Sequence, residues 1–458
     1  MNSHAKFNLT DGPIFNKLLK LSLPIMATSL MQSAHQLTNM FWLSWLGEGY
    51  VAAAGLSGQF LWLSLSFIMM CRMGAEIGVS QNIGRGDPET AKSYAQNGFM
   101  LAMAIGIVLA ILTITLRVTL LGFFDIGNAY VAHIAQRYLA ITALSIPFNF
   151  GHFVVTGIYG GYGNTKLPFY INTIALLLNI ILTPIFMFVL NMGIIGAALG
   201  MVVSAAFNLI IKIWAMTRYK NRPFKEYTLL VKVSWDKIKQ ILKWGVPVGT
   251  EALLFTLFFM IVTRLITSFG GGAVAAHQVG LQIESLSFMI AGGFGSALTA
   301  FVGQNYGAQK WGRLRSAFKA SFIFMGIYGV IISSFLFILA TPLVSIFLYD
   351  PESIAISVSY LRIVALTQFL TCIEGVASGG FRGRGLTLNP SIASISSNIL
   401  RVIMCYTLAA TALGITGIWV GMALAVTIRS VWLLTWHFIN IRKLPKTDEI
   451  KPSVTEVS

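Results

Sequence analysis

Residues 98–116, GFMLAMAIGIVLAILTITL, form one uncharged and mostly apolar stretch. A helix crosses the hydrocarbon core of a bilayer in about 20 apolar residues, so this stretch is long enough to span a membrane. The rest of the chain has the same character, because 56% of its 458 residues are hydrophobic and only 10% are charged. So few charges cannot cover soluble domains of this size. The sequence therefore predicts an all-α integral membrane protein.

The same length criterion divides the chain into twelve predicted transmembrane helices. Their predicted bounds are 15–42, 51–81, 94–121, 130–154, 167–190, 194–217, 240–267, 273–300, 317–345, 355–378, 389–411 and 415–439. Glycine and proline interrupt several of these spans, which membrane helices tolerate when neighbouring groups satisfy the freed backbone atoms.

The net charge of +16 comes from 32 basic and 16 acidic residues. Nucleic-acid binding would need a soluble basic face with base-contacting modules, and none is visible. Most of the basic residues fall between even-numbered and odd-numbered spans, above all in the segment 218–243. Basic loops mark the cytoplasmic side of a bilayer. We therefore expect a multi-pass protein of the cell inner (plasma) membrane with both termini in the cytoplasm.

Four motifs of the first half recur in the second half. The pairs are LLKLSLP (18–24) with ILKWGVP (241–247), SQNIGRG (80–86) with GQNYGAQ (303–309), YGGYGNTKLP (159–168) with GGFRGRGLTLNP (379–390), and GIIGAALGM (193–201) with GITGIWVGM (414–422). An even number of spans separates equivalent points, so both halves have the same orientation and are related by an axis along the membrane normal. This predicts two pseudo-symmetric six-helix lobes.

The predicted domains follow from the repeat. They are an N-terminal lobe (1–217), a basic cytoplasmic linker (218–239), a C-terminal lobe (240–440) and a cytoplasmic tail (441–458). The linker is long enough to let the lobes move as rigid bodies while it stays at the anionic inner surface.

Of the 16 acidic residues, only Glu76, Glu251, Glu284 and Glu374 lie inside the predicted spans. A carboxylate in hydrocarbon costs several kcal/mol, so it is retained mainly where it faces a cavity, a partner or an ion. Glu251, Glu284 and Glu374 belong to one lobe at comparable depths, and we expect them to form a cluster. Such a cluster can exchange a proton or bind sodium, and beyond sodium at Glu251 and Glu374 we expect no metal.

Permanent ion pairs are the alternative interpretation of these acids. Arg401 and Arg429 lie within spans eleven and twelve, and either can neutralise a glutamate of this lobe. Arg72 precedes Glu76 by one helical turn, so these two residues can pair on one helix face. For this pair a structural role and a secondary functional role remain open.

No nucleotide-binding motif is present, so active transport must draw on an ion gradient. We predict a transporter rather than an enzyme, with no cofactor and with a proton or sodium as the coupling ion. A monomer is expected, with small organic substrates and the lipid bilayer as its partners. A channel and a flippase for lipid-linked intermediates are the alternatives. Single-channel currents would indicate the first, and translocation of lipid intermediates the second.

Several features together resemble the multidrug and toxic compound extrusion (MATE) family over residues 13–440. They are the repeated six-span halves, a proline in the first helix of each half, AAHQ at 275–278, VGQNYGA at 302–308 and the turn GGFRGRG at 379–385. The resemblance implies export of bulky, often cationic or aromatic compounds in exchange for protons or sodium ions, by alternating access of the two lobes.

The resemblance transfers to single residues unevenly. GVPVGTEALLF at 245–255 resembles the seventh-helix motif of the family, which gives Glu251 the role of the cation-coupling glutamate. Asn39 stands where many members carry an aspartate in the first helix, and Thr371 stands at the position of a tenth-helix aspartate. Glu374, one turn after Thr371, can substitute for that aspartate.

Two glutamines complete the predicted site. Gln278 and Gln282 lie one turn apart in span eight, and we predict that they line the substrate cleft. Glu284 has no assigned counterpart in the family pattern, so its predicted role in coupling rests on its position in the membrane alone.

Overall fold

The computed structural model describes residues 7–124, 128–220, 222–229 and 231–445. Within these ranges the chain is helical and contains no β-strand. The predicted cytoplasmic tail lies outside the described residues from position 446 onward. The prediction of an all-α fold is confirmed.

The helices are numbered here in chain order. The first half contains α1 (Ile14–Ser44), α2 (Glu48–Arg85), α3 (Pro88–Thr115), α4 (Arg117–Gly122), α5 (Ala129–Ala143), α6 (Ile146–Tyr162), α7 (Lys166–Pro184), a π-helical segment (Ile185–Val189) and α8 (Gly193–Thr217). The second half contains α9 (Trp235–Thr267), α10 (Gly271–Gly307), α11 (Trp311–Ile338), α12 (Ala340–Ser345), α13 (Pro351–Gly383), α14 (Leu388–Ala409) and α15 (Ile415–Arg442).

Among the described residues, 10 helices are long and apolar enough to cross a membrane, and α5 with α6 forms an eleventh, bent span. Helix α1 is not among them, although its 31 residues exceed the required length. Its apolar character is interrupted by polar side chains such as Thr28, Gln32 and His35, which line a cavity described below. The 10 long helices, the bent α5–α6 pair and α1 together correspond to the twelve predicted spans.

Span 130–154 differs from the prediction because it consists of two helices bent by 43°. Helix α5 ends at Ala143, and α6 begins at Ile146 with Pro147 in its first turn. Proline lacks a backbone N–H, so Pro147 cannot donate to the carbonyl oxygen of Ala143, and the helix is broken here. The Ser145 hydroxyl donates to the carbonyl oxygen of Thr142 (2.7 Å) at the end of α5.

A second pair of breaks occurs at equivalent places in the two halves. Predicted span 94–121 is α3 followed by the short α4, and span 317–345 is α11 followed by the short α12. A single residue with non-helical backbone angles separates each pair, Leu116 in the first half and Leu339 in the second. The repeat seen in the sequence therefore extends to the local geometry.

The described chain divides into two compact units. The first unit comprises Pro24–Val79 and Pro88–Leu253 together with Phe7. The second unit comprises Asn8–Leu23, Ser80–Asp87 and the chain from Leu254 onward. The domain boundaries inferred from the repeat stay a prediction.

Each unit has its own apolar core. In the first unit, Leu43, Leu121 and Leu139 are buried together, each with 3% exposure or less. In the second unit, Tyr360 and Trp419 are fully buried among aliphatic side chains. Burial of one such side chain stabilises a fold by about 1.5–3 kcal/mol in water, whereas packing provides most of the gain in lipid.

The two copies of the QNxG motif contact each other within the second unit. A Cβ atom added at Gly84 would lie 1.9 Å from the carbonyl oxygen of Gln304, and one added at Gly307 would lie 1.9 Å from that of Gln81. The contact is reciprocal, since the glycine of each copy meets the glutamine backbone of the other. Only glycine allows two helices to approach this closely.

The segment before α1 is bound to the second unit by polar contacts. Leu9 donates its backbone N–H to Gln304 Oε1 (3.0 Å), and Arg313 donates to the carbonyl oxygens of Leu9 and Asp11. Lys310 Nζ lies 2.7 Å from Asp11 Oδ1. This hydrogen bond holds the pKa of Asp11 below its usual value.

Candidate functional site

Glu284 lies on the buried face of α10, where its side chain meets α13. The residue is only 5% exposed. Its carboxylate accepts hydrogen bonds from the Tyr360 hydroxyl and from Gln368 Nε2 (3.0 Å). The Ser287 hydroxyl donates to Gln368 Oε1 (2.9 Å), which turns the amide nitrogen of Gln368 toward Glu284. In the described chain the carboxylate has two neutral donors and no salt bridge.

An aromatic cluster packs around Tyr360, which donates to this carboxylate. The buried ring of His277 is stacked on Trp419, with centroids 5.3 Å apart, and meets the edge of Tyr360. Arg401 is 7% exposed, lies 5.7 Å from the ring centroid of Phe255, and acts on Glu284 electrostatically. Aromatic and hydrogen-bonding groups thus separate Glu284 from water.

Glu374 has a different environment from Glu284. Arg429 Nε lies 3.0 Å from the Glu374 carboxylate, and the Ser430 hydroxyl donates to it at 2.8 Å. Both side chains of the ion pair are 13% exposed. Thr371, one turn earlier on α13, donates its hydroxyl to the carbonyl oxygen of Thr367 (3.1 Å). Glu374 therefore forms an ion pair with Arg429, which is the alternative that the sequence left open for these glutamates.

Glu251 is half-buried on α9, four residues after Pro247, and belongs to the first unit. Glu284 and Glu374 belong to the second unit. Within the described ranges, no three His, Cys, Asp or Glu side chains come together closely enough to hold a metal ion. A sodium site at Glu251 and Glu374 stays a prediction.

The remaining predicted residues lie on α1, α2 and α10. Arg72 Nε is 3.7 Å from Glu76 Oε2 on α2. Asn39 is half-buried on α1, and Gln278 and Gln282 are exposed on α10. Nothing in the structure tests their predicted roles.

The sequence did not predict a cavity of about 170 Å³ in the first unit. Its lining consists of neutral polar residues, histidines and a few apolar residues, and none of these residues is Asp, Glu, Lys or Arg. They are Thr28, Met31, Gln32, His35, Ser145, Asn149, His152, Phe153, Asn172, Ala175, Leu176, Asn179, Met201, Ser204, Ala205 and Asn208. A protein cavity of about 150 Å³ can bind a molecule of the size of benzene, so this cavity can hold a small organic group.

Lys212 lies directly behind the wall of this cavity and is fully buried. Its Nζ atom is 2.7 Å from Asn172 Oδ1, 2.8 Å from Thr156 Oγ1 and 3.3 Å from the carbonyl oxygen of His152. Asn208 Nδ2 also donates to Asn172 Oδ1 (3.2 Å). The amine is thus connected to the cavity through the side chains that line it.

A second set of hydrogen bonds follows the cavity wall along α6. Ser145 donates its only hydroxyl proton to a backbone carbonyl, so it must accept from Asn149 Nδ2 (3.2 Å). Asn149 Oδ1 then accepts from His152 Nε2 (3.1 Å). His152 Nδ1 is therefore unprotonated and faces Lys212 Nζ at 3.5 Å.

Lys212 was not identified from the sequence, although a usable signal was present. The argument that singled out the four acids applies equally to a lysine in the middle of an apolar span. Applied to residues 194–217, it selects Lys212. The asparagines Asn172, Asn179 and Asn208 are also polar residues within two predicted spans, but no spacing rule connects Asn208 with the other two.

Comparison with known proteins gives one consistent family. The MatE family model matches residues 24–185 and 247–407. The chain is 28% identical to the probable multidrug resistance protein NorM of Thermotoga maritima, over 91% of this chain and 90% of that protein. It is 21% identical to the multidrug export protein MepA of Staphylococcus aureus, over 91% and 92%.

A solved structure has the same fold. A crystal structure of MATE in complex with MaD5 superposes with a TM-score of 0.88 at 21% identity, and the match covers 96% of this chain and 99% of that chain.

Proposed function

Because the chain belongs to the MatE family, we propose that it is a secondary active antiporter that exports organic compounds in exchange for protons or sodium ions. The names of the NorM and MepA relatives support multidrug efflux as its activity. We place it in the plasma membrane with both termini in the cytoplasm, as the distribution of basic residues indicates.

Glu284 is the observation that carries the proposal. Its carboxylate is buried, and its hydrogen-bond partners Tyr360 and Gln368 are neutral. A buried acid without a salt bridge can be discharged by a proton at lower cost than one that must first leave an arginine. Binding or release of the coupling ion would then change the charge of this region and favour one lobe arrangement over another.

The other carboxylates take different places in this proposal. Glu251 acts as a second coupling acid, on the strength of the seventh-helix motif. Glu374 takes part only in a state in which Arg429 releases it, because the ion pair at 3.0 Å otherwise neutralises it. Thr371 supplies a hydroxyl one turn from Glu374. Each ligand shifts the equilibrium between lobe arrangements through its differential affinity.

Efflux from proteoliposomes tests the proposal. Proton and sodium gradients are imposed separately, and export of ethidium, chloramphenicol and carboxyfluorescein is followed for wild type and for Glu284→Gln, Glu251→Gln and Glu374→Gln. Glu352→Gln is the matched control, because Glu352 is exposed at the start of α13. We expect gradient-driven efflux to fall at least about tenfold in Glu284→Gln and to stay unchanged in the control.

Gradient-driven efflux that survives in Glu284→Gln would remove the assigned role of this residue. Absence of efflux for all three compounds under both gradients would contradict the antiporter itself. Single-channel currents or translocation of lipid-linked intermediates would instead support the channel or the flippase.

A further inference from the structure

We infer that the buried ammonium of Lys212 makes the first-unit cavity selective by charge, so that it admits uncharged and anionic polar organic compounds and excludes organic cations. The inference deepens the proposed function by giving this transporter a substrate class. It is argued from the residues of the first unit alone.

The hydrogen-bond partners of Lys212 indicate that its amine is charged. Thr156 donates its hydroxyl proton to the carbonyl oxygen of His152 (2.8 Å), so toward Lys212 it can only accept. The carbonyl oxygen of His152 is also an acceptor. Asn172 Oδ1 accepts from Asn208 Nδ2 and is therefore an amide oxygen. Lys212 Nζ thus faces three oxygen acceptors within 3.3 Å and the His152 Nδ1 atom at 3.5 Å, and an ammonium provides one N–H group for each of the three oxygens.

The charge of Lys212 has no counter-charge in the cavity wall. The lysine forms no salt bridge in the described chain, and no acidic residue lines the cavity. Arg72 acts on Lys212 electrostatically, but Arg72 is itself paired with Glu76 at 3.7 Å. The Arg72 and Glu76 charges cancel to a first approximation, and the ammonium remains. A unit charge this close to the cavity wall repels a cation in the cavity, because the dielectric constant of a protein interior is low.

The cavity wall carries polar atoms to which a ligand can bind. Three lining residues, each at least nine-tenths buried, have a polar atom without a hydrogen-bond partner among the described residues: Asn179 Nδ2, Ser204 Oγ and Asn208 Oδ1. The oxygen of Asn179 is taken by His35 (2.8 Å), which leaves the amide N–H groups for a ligand. A buried polar atom left unpaired is unfavourable, so a ligand that pairs with it is favoured.

These unpaired atoms define a complementary ligand. Asn179 requires an acceptor such as a carbonyl, hydroxyl or carboxylate oxygen. Asn208 requires a donor, and the Ser204 hydroxyl, one turn earlier on α8, can bond either type. Compounds that carry hydroxyl or carboxamide groups satisfy all three, and a carboxylate satisfies Asn179 and Ser204. A quaternary ammonium group satisfies none of them, and any organic cation is repelled by the ammonium.

Reaction of a cysteine in the cavity with charged reagents tests the inference without transport. Ala205 lines the cavity between Ser204 and Asn208, and Ala205→Cys introduces the thiol. Purified full-length protein is treated with methanethiosulfonates that carry a trimethylammonium-ethyl, hydroxyethyl or sulfonatoethyl group. Each rate is divided by the rate of the same reagent with 2-mercaptoethanol. The parent protein gives the background, because Cys71, Cys372 and Cys405 are buried.

We expect the cationic reagent to react about tenfold more slowly than the other two after this correction. Lys212→Gln retains an N–H donor but loses the charge, and the three rates should then converge. Lys212→Arg should retain the difference. Equal rates in the Ala205→Cys protein, or a difference that persists in Lys212→Gln, would overturn the inference. Failure of all three reagents to react would also overturn it, because the cavity would then admit no ligand.

Asn179→Asp provides a second variant that leaves Lys212 in place. The substitution keeps the side-chain shape and adds a negative charge to the cavity wall, so the relative rate of the cationic reagent should rise. An unchanged rate in folded Asn179→Asp protein would count against charge selection even if Lys212→Gln does not fold. Absence of efflux in proteoliposomes would contradict the proposed function and leave these rates unaffected.

Discussion

The two halves of the chain place different chemistry at equivalent positions of the same helices. The register comes from the repeated motifs and from the left-handed glycines Gly163 and Gly385 that follow α6 and α13. In this register the corresponding residues are His152 and Glu374, Asn208 and Arg429, and Asn179 and Arg401. The first member of each pair is a histidine or an amide, and the second member is charged.

This difference has a structural consequence. In the second half, opposite charges attract, and Glu374 and Arg429 close on each other at 3.0 Å. In the first half, amides and an imidazole form directional hydrogen bonds and leave a cavity between the helices. The position equivalent to Lys212 is Leu433, an apolar residue that is 1% exposed. The first half therefore has a cavity where the second half has an ion pair.

Breaking the ion pair of the second half should have the largest effect. Arg429→Met leaves the Glu374 carboxylate without its cation, and loss of one partner of a buried pair costs about 3–5 kcal/mol. The double variant Glu374→Gln/Arg429→Met should recover most of this loss. The matched change in the first half, Asn208→Leu, removes one neutral hydrogen bond and should cost about 1 kcal/mol.

The measurement is the free energy of unfolding in mixed detergent micelles. A double variant as unstable as Arg429→Met would show that the loss comes from packing rather than from an unpaired charge. A larger effect for Asn208→Leu than for Arg429→Met would reverse the comparison.

The two halves contribute equivalent residues to the QNxG contact, and substitution of its two glycines tests this equivalence. Gly84→Ala and Gly307→Ala each place a methyl group 1.9 Å from a backbone oxygen. The helices must separate, which we expect to cost about 1–3 kcal/mol or more for either change. Gly292→Ala is the control, because nothing lies within 4 Å of its added Cβ. Unequal losses for the two reciprocal variants, seen in the same unfolding assay, would argue against a symmetric contact.

Tyr138 and Tyr360 occupy equivalent positions in the two halves, but their hydroxyl groups donate to different acceptors. Tyr360 donates its hydroxyl to the buried Glu284 carboxylate, whereas Tyr138 donates to the sulfur of Met201 at 3.4 Å. Hydrogen bonds to charged groups contribute about 1.5–3 kcal/mol, and thioether sulfur is a weak acceptor. Tyr360→Phe should therefore lower the melting temperature clearly more than Tyr138→Phe. Equal shifts would indicate that Glu284 is not charged in the folded protein.

The smallest effect is expected at the segment before α1. Lys310 lowers the pKa of Asp11, so the ionised carboxyl stabilises the folded state at neutral pH, and this contribution disappears as the pH falls through the folded-state pKa. The Asp11 side chain is 64% exposed, which limits the contribution to less than about 1 kcal/mol. Asp11→Asn should melt slightly below wild type at neutral pH. A difference that persists in acid would exclude the charge as its cause.

Most of the fold could be predicted from the sequence because the solvent of the protein imposes it. In lipid, every backbone polar group must be satisfied within the chain, so long apolar segments become helices. The break at Ser145 was missed although Pro147 was visible, since proline in a membrane helix does not always bend it. The π-helical segment Ile185–Val189 after Pro184 also had no decisive signal in the sequence.

The candidate site was less predictable, because its residues are brought together by helix packing. The sequence identified Glu284 as a buried acid but could not show that Tyr360 and Gln368 would be its partners. Both partners lie on α13, more than 70 residues away. Arg429 was recognised as one of two potential partners for the glutamates, and only side-chain geometry distinguishes it from Arg401. The cavity beside Lys212 depends on four helices at once and has no local signature.

The reciprocal glycine contact restricts how α2 and α10 can move at their ends. At Gly84 and Gly307 the main chains meet without a side chain between them, as at a pivot. Successive residues of an α-helix point about 100° apart, so rolling either helix by one residue would drive a bulkier side chain into the opposing carbonyl. Tilting about the pivot keeps both glycines in place. The contact therefore blocks rolling of either helix and leaves tilting.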